Sequence, residues 1–415
     1  MDNNVMILAQ DQYYSLDCHK TQLNNNVLVV GTSGAGKTRS IVAPNILQAT
    51  GSYVISDPKG NLYEKYSDYL TGKGYKVKKL DFTDPYHSAH YNMFKYVNTE
   101  LDIMNIAGVL VGRTKNSRSY DPFWDEMSDV LLQSLIGYMF ETEKRSNCTM
   151  ERLINLLVSM NGINSDEKSE LDWNMERLDM INRNSIATRK YKMFRVGASR
   201  TIKSVVISAN SKVGRFYSPE LNYMMGSDDI NLPSIGQEKT ALFVVVSDTD
   251  RSMDKLANIF FTQAMNQLCR YADKECKDSC LPVPVRFILD DFATNCYIEQ
   301  FPRMISSFRS RNISTMLMIQ AESQLKEYYG EDGRTIIGNC DTYVYLGGND
   351  IETAKEVSVR SDVPLKKILN MPIGTNWIFR RGQAPVNAKN FDLDSFLREK
   401  KKAKSEYIQL EEKAC

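Results

Sequence analysis

The stretch "VLVVGTSGAGKTRSIVAPN", residues 27–45, carries the strongest fold signal in the chain. Its first four residues, Val27 to Val30, are apolar and read as a short buried strand. Gly31-Thr32-Ser33-Gly34-Ala35-Gly36-Lys37-Thr38 then satisfies the spacing G-x-x-x-x-G-K-[ST] of a phosphate-binding loop. That spacing has a mechanical origin. Glycines let the backbone turn until successive N–H groups converge on phosphate oxygens, and the following helix presents its positive end to them. The run Arg39 to Ala49 has helical character, so the motif sits between strand and helix, where its chemistry works. Residues 31–39 form the expected nucleotide cradle, with Lys37 on the β/γ-phosphates and the Thr38 hydroxyl on Mg²⁺. The chain has no Asn-Lys-x-Asp guanine-reading motif, which favours ATP over GTP.

Outward from the loop, the sequence alternates. "SYVIS" (52–56) is followed by "DPKGNLYEKYSDYLTGKG" and then by the strand-like "YKVKKLDF". This βαβ rhythm predicts a mainly parallel sheet covered by helices. Between about Thr99 and Tyr191 the strand signal disappears. "DPFWDEMSDVLLQSLIGYMFETE" opens with Asp121 as an N-cap and Pro122 as the first helical residue, and "MERLINLLVSM" and "SELDWNMERLDMI" continue at helical spacing. An all-helical insertion of roughly ninety residues is long enough to hold its own small core. From about Thr201, "TALFVVVSD", "VRFILDD", "ISTMLMIQ" and "DTYVYLGG" restore the α/β texture. The organisation expected is an α/β fold with a first part of the nucleotide-binding domain at 1–98 and an all-α domain at 99–200. A second part follows at 201–394 and a charged tail at 395–415.

Composition bounds the rest. With 415 residues, 42% hydrophobic and 25% charged, the chain is an ordinary globular one and large enough for two domains. A formal net charge of +1 rules out recruitment of nucleic acid by global basicity, leaving local patches or an assembled pore. No apolar run approaches the roughly 18 residues of a membrane span, and "MDNNVMILAQD" lacks the basic start and apolar segment of a signal peptide. The chain as given reads as cytoplasmic. Cys269, Cys276 and Cys280 are spaced too widely, with no nearby histidine, for a zinc site, and read as free thiols in a reducing compartment. His19, His87 and His90 form no metal or nucleophile constellation. The "KKKAK" run near the C-terminus reads as a solvated face.

A second catalytic element follows downstream. "VRFILDD" (285–291) is an apolar strand ending in two carboxylates, the form of a Walker B element. Asp290 is the expected Mg²⁺ ligand, and Asp291 the group that polarises the attacking water. The next strand ends in Gln320, which in such a sheet order lies beside the phosphate loop and suits a γ-phosphate sensor. Between them "PRMISSFRSRNIS" carries Arg303, Arg309 and Arg311. An arginine reaching a neighbouring subunit's γ-phosphate would contribute about 10³–10⁵ in rate and would require an oligomer.

These residues together resemble the type IV coupling proteins, the ATPases of bacterial conjugation that deliver DNA to a type IV secretion channel. The likeness extends over about Asn26 to Leu393. "VVGTSGAGKT", "SDPKGNLY", "DPFWDEMSDVLLQSLIGY", "TALFVVVSDTD", "ILDDFA", "SFRSRNIS", "IQAESQLKEYYG" and "IIGNCDTYVYLGG" carry it. The resemblance implies a RecA-like P-loop NTPase motor domain interrupted by an all-α domain, a homo-hexamer around a DNA-sized channel, and ATP with Mg²⁺ as cofactors. It implies single-stranded DNA, a relaxase complex and the type IV secretion channel as partners, at the inner face of the cell membrane. It places the family's roles on Lys37, Thr38, Asp290, Asp291 and Gln320, and on Arg309 as the finger by its sequence distance from Asp290. Asp57 and Lys59 of "SDPKG" match a family signature, for which a simple turn built on Pro58 and Gly60 is the structural alternative.

Two departures stand out. Asp291 replaces the family's usual glutamate, a carboxylate shorter by about one methylene, and catalysis is sensitive to misplacements near 1 Å. The family's leading transmembrane helices have no counterpart, so the chain reads as a cytosolic fragment or as a form recruited by a separate membrane partner. The expected function is an ATP-driven pump for relaxase-bound single-stranded DNA. The alternative is an ATP-gated docking receptor with little translocation. "RKYKMFR" (189–195) is a basic, aromatic-interleaved DNA-contact candidate and equally well a junction between domains. A small-molecule P-loop kinase fits poorly, because the chain is long and no acceptor-site motif stands out.

Overall fold

The computed structural model describes residues 4–112, 122–160, 168–294 and 296–398. The expected N-cap Asp121 and the "KKKAK" run at 400–404 lie outside these residues. The chain divides into two compact units. One comprises residues 1–78, 233–245 and 268–415, the other 79–232 and 246–267.

The first unit is built on eleven strands: β1 (Val5–Ala9), β2 (Gln12–Ser15), β3 (Val27–Val30), β4 (Ser52–Ser56), β5 (Lys76–Asp81), β6 (Thr240–Val245), β7 (Val285–Leu289), β8 (Ile313–Ile319), β9 (Thr342–Tyr345), β10 (Thr375–Arg380) and β11 (Val386–Lys389). β1 and β2 form a separate antiparallel hairpin. The other nine make one sheet in the order β11-β10-β9-β3-β8-β7-β4-β6-β5, and β5 enters this unit by its first residues. The centre is parallel: β3 pairs with β8 and β9, β7 with β8 and β4, and β4 with β6. Strands β3, β4, β6, β7 and β8 are buried along their whole length. This two-sided burial explains their largely apolar sequences, interrupted by Arg286 in β7 and by Ser314 and Thr315 in β8. β10 runs antiparallel to β9 and alternates buried with half-buried positions, as a strand with one covered face must.

One face of this sheet packs Val27, Val29, Ile55, Phe243, Ile288, Met316 and Met318 against Ile41, Val42 and Ile46 of the segment after the phosphate loop. That segment starts as a single π-helical turn, Thr38–Val42, before the helix Ala43–Gln48. The Ala43 N–H bonds Thr38 O, and Pro44, having no N–H, cannot supply an ordinary α-helical bond at the next step. Asn45 is buried within this helix. Its Oδ1 accepts from Ile7 N at 3.0 Å and its Nδ2 donates to Ile7 O at 2.7 Å, fastening β1 to the helix.

The second unit contains the helices Glu100–Val111, Phe123–Thr142, Met150–Ser159, Glu170–Ile181, Ile186–Arg195, Ser199–Val213 and Pro219–Met225. Short polar residues start several of them. Thr99 with Asp102, and Ser169 with Asp172, form capping boxes, and Thr149, Ser185 and Ser218 each accept an N–H of the first turn. Helix Phe123–Thr142 starts one residue beyond Pro122 and lies at the centre, with Leu131, Leu132, Leu135, Ile136 and Met139 buried. A Cβ on its Gly137 would lie 2.8 Å from Ile186 Cγ2, so this glycine permits the close approach of helix Ile186–Arg195. Ser134 Oγ donates to Ala187 O at 2.9 Å across the same contact.

The "RKYKMFR" segment falls in that helix. Tyr191 and Phe194 are core residues, while Arg189 pairs with Glu100, Lys192 with Asp179 and Arg195 with Asp172. Its aromatics therefore pack the unit, and three of its cations are engaged within it. The seven described cysteines are free thiols. Among the described residues, no helix is long and apolar enough to cross a membrane.

Candidate phosphate and magnesium site

The loop after β3 is held on both sides by its neighbours in the sheet. Gly31 N donates to Ile319 O, the last residue of β8, and Thr32 N to Gly347 O, just past β9, each at 3.1 Å. Gly34 and Gly36 have φ of 78° and 93°, the left-handed region that a side chain strains. A Cβ at Gly34 would meet nothing within 4 Å, so the loop's tip is open. Ser40 closes the start of the following turn by donating its Oγ and N–H to Gly36 O at 2.7 and 2.8 Å.

Lys37 folds back over this loop. Its Nζ donates to Gly31 O at 2.6 Å and Thr32 O at 3.3 Å. Burial pulls its pKa below the ordinary lysine value, and the nearby Asp290 and Asp291 carboxylates partly offset that. The ammonium is thus held among carbonyls and carboxylates without a close ion-pair partner among the described residues. A phosphate oxygen would satisfy it better.

β7 lies two places from β3 in the sheet and delivers Asp290 to the same edge. Thr38 Oγ1 donates to Asp290 Oδ2 at 3.0 Å, and Asp291 N donates to Asp290 Oδ1 at 3.1 Å. Burial first, and Asp291 second, push the Asp290 pKa up, while the Thr38 hydroxyl and Lys37 pull it down. A half-buried carboxylate beside a second carboxylate and a hydroxyl oxygen is a suitable donor set for a hard divalent cation. Mg²⁺ typically takes one or two protein oxygens and completes its shell with water and phosphate. The residues present fit that requirement. Among the described residues, no group of three or more His, Cys, Asp or Glu stands together as an all-protein cage.

The remaining expected residues fall in different places. Asp291 adopts a left-handed backbone with φ of 47°, and Ala293 follows with 75°. Phe292 N bonds Met318 O at 2.8 Å, which anchors this turn against β8. Gln320 directly follows the residue that receives the Gly31 N–H, so it stands beside the loop, exposed, with its own N–H on Gln324 Oε1. Arg39, the last residue of the expected cradle, is exposed and paired with Asp394. Arg309 is not brought to the site within one chain. It lies before the first residue of β8, whereas the loop meets the last, a separation of roughly 20 Å for a seven-residue strand. Arg309 is exposed, with Nη2 at 3.5 Å from Cys18 O. Arg311 is bound bidentately by Asp273, and Arg303 is exposed.

Asp57 was marked in the sequence only as part of a family signature, and the contributions of Asn390 and Gly347 were not read from it. Asp57 is buried, and its Oδ2 accepts the N–H groups of Leu62 and Tyr63 at 2.9 Å, capping helix Asn61–Thr71. Burial raises its pKa, those N–H groups lower it, and Asp290 raises it further. The aspartate of "SDPKG" is therefore both a helix cap and a near neighbour of the Asp290 carboxylate. Asn390 Nδ2 reaches Ala35 O at 3.4 Å from the far end of the chain, and Gly347 supplies the carbonyl that holds Thr32. The Asn390 contact has no local signal, because its partner lies hundreds of positions away.

A model of the family described as type IV secretory system conjugative DNA transfer matches residues 4–361. The chain belongs to that family. Among its relatives, Protein VirD4 of Rhizobium radiobacter is 23% identical over 341 residues, covering 80% of this chain and 47% of that protein. Conjugal transfer protein TraG of Escherichia coli is 22% identical over 357 residues, with 80% and 54% covered. The chain spans about half the length of the curated relatives it matches.

Solved structures agree on the fold of this type IV secretory family member. The bacterial conjugative coupling protein TrwBdeltaN70 superposes with a TM-score of 0.68 at 15% identity, covering 93% of this chain and 89% of that one. VirB4 of Thermoanaerobacter pseudethanolicus gives 0.55 at 12% identity, with 94% and 96% covered. The fold is the RecA-like P-loop fold with a mainly parallel sheet.

Proposed function

We propose that this chain is an ATP-hydrolysing coupling protein of conjugative DNA transfer, which gathers a relaxase-bound DNA strand and drives it toward a type IV secretion channel. One observation carries the reading: the Thr38 hydroxyl and the Asp290 carboxylate meet at 3.0 Å, directly after a glycine loop with Lys37 folded over it. The family supports it, and so does TrwB, a structural neighbour solved with the non-hydrolysable analogue ADPNP and with ADP and Mg²⁺.

In this reading the loop N–H groups of residues 31–39 hold the phosphates, and Lys37 exchanges its two carbonyl contacts for phosphate oxygens. Thr38 and Asp290 hold Mg²⁺, which when bound supplies positive charge at the phosphate oxygens. Asp291 orients the attacking water and accepts its proton, and Gln320 reads the γ-phosphate from the end of β8. Arg309, exposed and remote from its own loop, acts on the site of an adjacent copy in a hexamer. Movement of single-stranded DNA then rests on backbone phosphate contacts in the assembled ring, which are insensitive to sequence and weakened by salt. The working location is the inner face of the cell membrane.

A second reading, an ATP-gated docking receptor, is favoured by Asp291 itself. It is shorter than glutamate by about one methylene, and a general base misplaced by about 1 Å slows turnover while leaving nucleotide binding intact. ATPase turnover with and without single-stranded DNA, across salt concentrations, separates the two. A pump is stimulated by DNA, with the stimulation fading as salt rises. A receptor binds ATP with little response. Lys37→Ala abolishes turnover in the first case and weakens ATP binding in both, and a Lys37→Ala protein that binds ATP as wild type does would overturn both.

A further inference from the structure

At the opposite end of the sheet from the phosphate loop, where β4, β7 and β8 begin, lies a cavity of about 490 Å³. That volume falls within the range of small-molecule sites, roughly 300–1,000 Å³. Its wall includes Arg286, the second residue of β7, whose residue surface is only 6% exposed. The Arg286 Nε donates to Ser314 Oγ at 3.2 Å. Among the described residues, the two terminal nitrogens meet no acceptor and no carboxylate pairs with the group. Its terminal nitrogens therefore open onto the cavity, and because arginine keeps its charge there, they present unused donors to whatever occupies the space.

A second guanidinium, Arg309, lines the same cavity. Both arginines act electrostatically on the Cys18 thiol, which places their charges around one space, although burial sets the net upward direction of that thiol's pKa. Asp17 is the one carboxylate in the wall, and it is engaged by its own turn: Oδ1 accepts His19 N and Lys20 N at 3.0 and 3.2 Å, and Lys20 Nζ lies 3.6 Å from Oδ2. The cavity is therefore positive at its base. Apolar side chains, Leu16, Val285 and Ile313 among them, complete the wall, and the space exceeds what a lone phosphate fills.

We infer that this cavity is a binding site for a phosphate monoester, seated on the forked donors of Arg286 with Arg309 at its side and the apolar wall against the organic part. Guanidinium forks match phosphate oxygens two at a time, which favours phosphate over a point-like halide. The site lies at the opposite end of the sheet from its own chain's Lys37 loop and rests first on Arg286; Arg309, assigned above to an adjacent copy's loop, borders it in the unassembled chain, the state in which the test is run.

Two thiols in the wall, Cys18 and Cys280, report occupancy. The experiment uses the full chain carrying Lys37→Ala, which weakens phosphate binding at the loop. Iodoacetamide labelling of each cysteine is followed by peptide mass mapping, with inorganic phosphate in one arm and AMP in the other. At a concentration ten times the dissociation constant, labelling at Cys18 and Cys280 falls about tenfold by mass action, while Cys269 is unaffected. Protection by both probes shows that the phosphate group is recognised, and stronger protection by AMP shows that the apolar wall is used. Adding Arg286→Met abolishes protection. If that variant does not fold, Arg309→Ala at the exposed rim weakens protection at least severalfold. Absence of protection by either probe, or protection that survives Arg286→Met in a folded protein, overturns the inference.

Discussion

Thr38→Val removes one hydroxyl and keeps the shape of the side chain, so it tests the Thr38–Asp290 contact directly. Asp290 receives one side-chain proton, from Thr38 Oγ1 at 3.0 Å, and one backbone proton, from Asp291 N at 3.1 Å. A hydrogen bond to a charged group contributes about 1.5–3 kcal/mol, and the partial exposure of both residues reduces the expected loss to about 1–2 kcal/mol. For a folded unit of about 150–250 residues, that corresponds to a fall in Tm of about 2–8 °C. The assay is thermal unfolding without nucleotide, repeated with Mg²⁺ and an ATP analogue. Wild type gains stability from the pair of ligands, and the variant loses most of that gain because one of the two protein oxygens is missing. Thr38→Val in an Asp290→Asn background should cost clearly less, since the charge that the hydroxyl served is gone. An unchanged Tm without ligand, together with an intact Mg²⁺ response, would refute the reasoning that these groups form one site.

Burial and Asp291 raise the Asp290 pKa in the folded protein, so the folded state holds its proton more tightly than the unfolded chain does. The sign follows from linkage: the contribution of Asp290 to stability is greatest below the ordinary aspartate range and is lost as pH rises through the elevated folded value. Asp290→Asn should therefore flatten denaturation midpoints over that acidic window and abolish the Mg²⁺ response, and an unaltered pH profile would count against it. Asp57→Ala strands two N–H groups at the start of helix Asn61–Thr71 and should cost about 2 kcal/mol, read by urea denaturation, with Asp57→Asn costing less. Asn45→Leu leaves both polar groups of Ile7 without their partner and should cost about 2–4 kcal/mol, with earlier proteolytic cleavage around β1 as the second readout. A change below about 0.5 kcal/mol would place β1's anchorage elsewhere.

Much of the architecture is written in local pattern. The largely apolar runs at 27–30, 52–56, 240–245, 285–289 and 313–319 are strands because a parallel strand covered on both faces is predominantly apolar on both. The two terminal hairpins were not read, though β1 is the apolar run "VMILA" closed by a turn at Asp11 with φ of 58°. A five-residue run says little by itself, and β10 alternates so modestly that its partners, not its residues, make it a strand.

By itself the sequence determined the glycine-rich loop at 31–38 and its candidate role, because glycine conformation, lysine charge and threonine hydroxyl act within eight consecutive residues. It also determined the two strand-end carboxylates at 290 and 291, whose type requires a polar edge. Only the tertiary structure decided which edge. Strand order β3-β8-β7-β4 brings Asp290 to Thr38 and Asp57 near Asp290, while the direction of β8 leaves Gln320 beside the loop and Arg309 at the far end. The same order gathers Arg286, Arg309 and Cys18 around one cavity. Such contacts depend on pairings between residues hundreds of positions apart, and no local rule for backbone or side chain contains them.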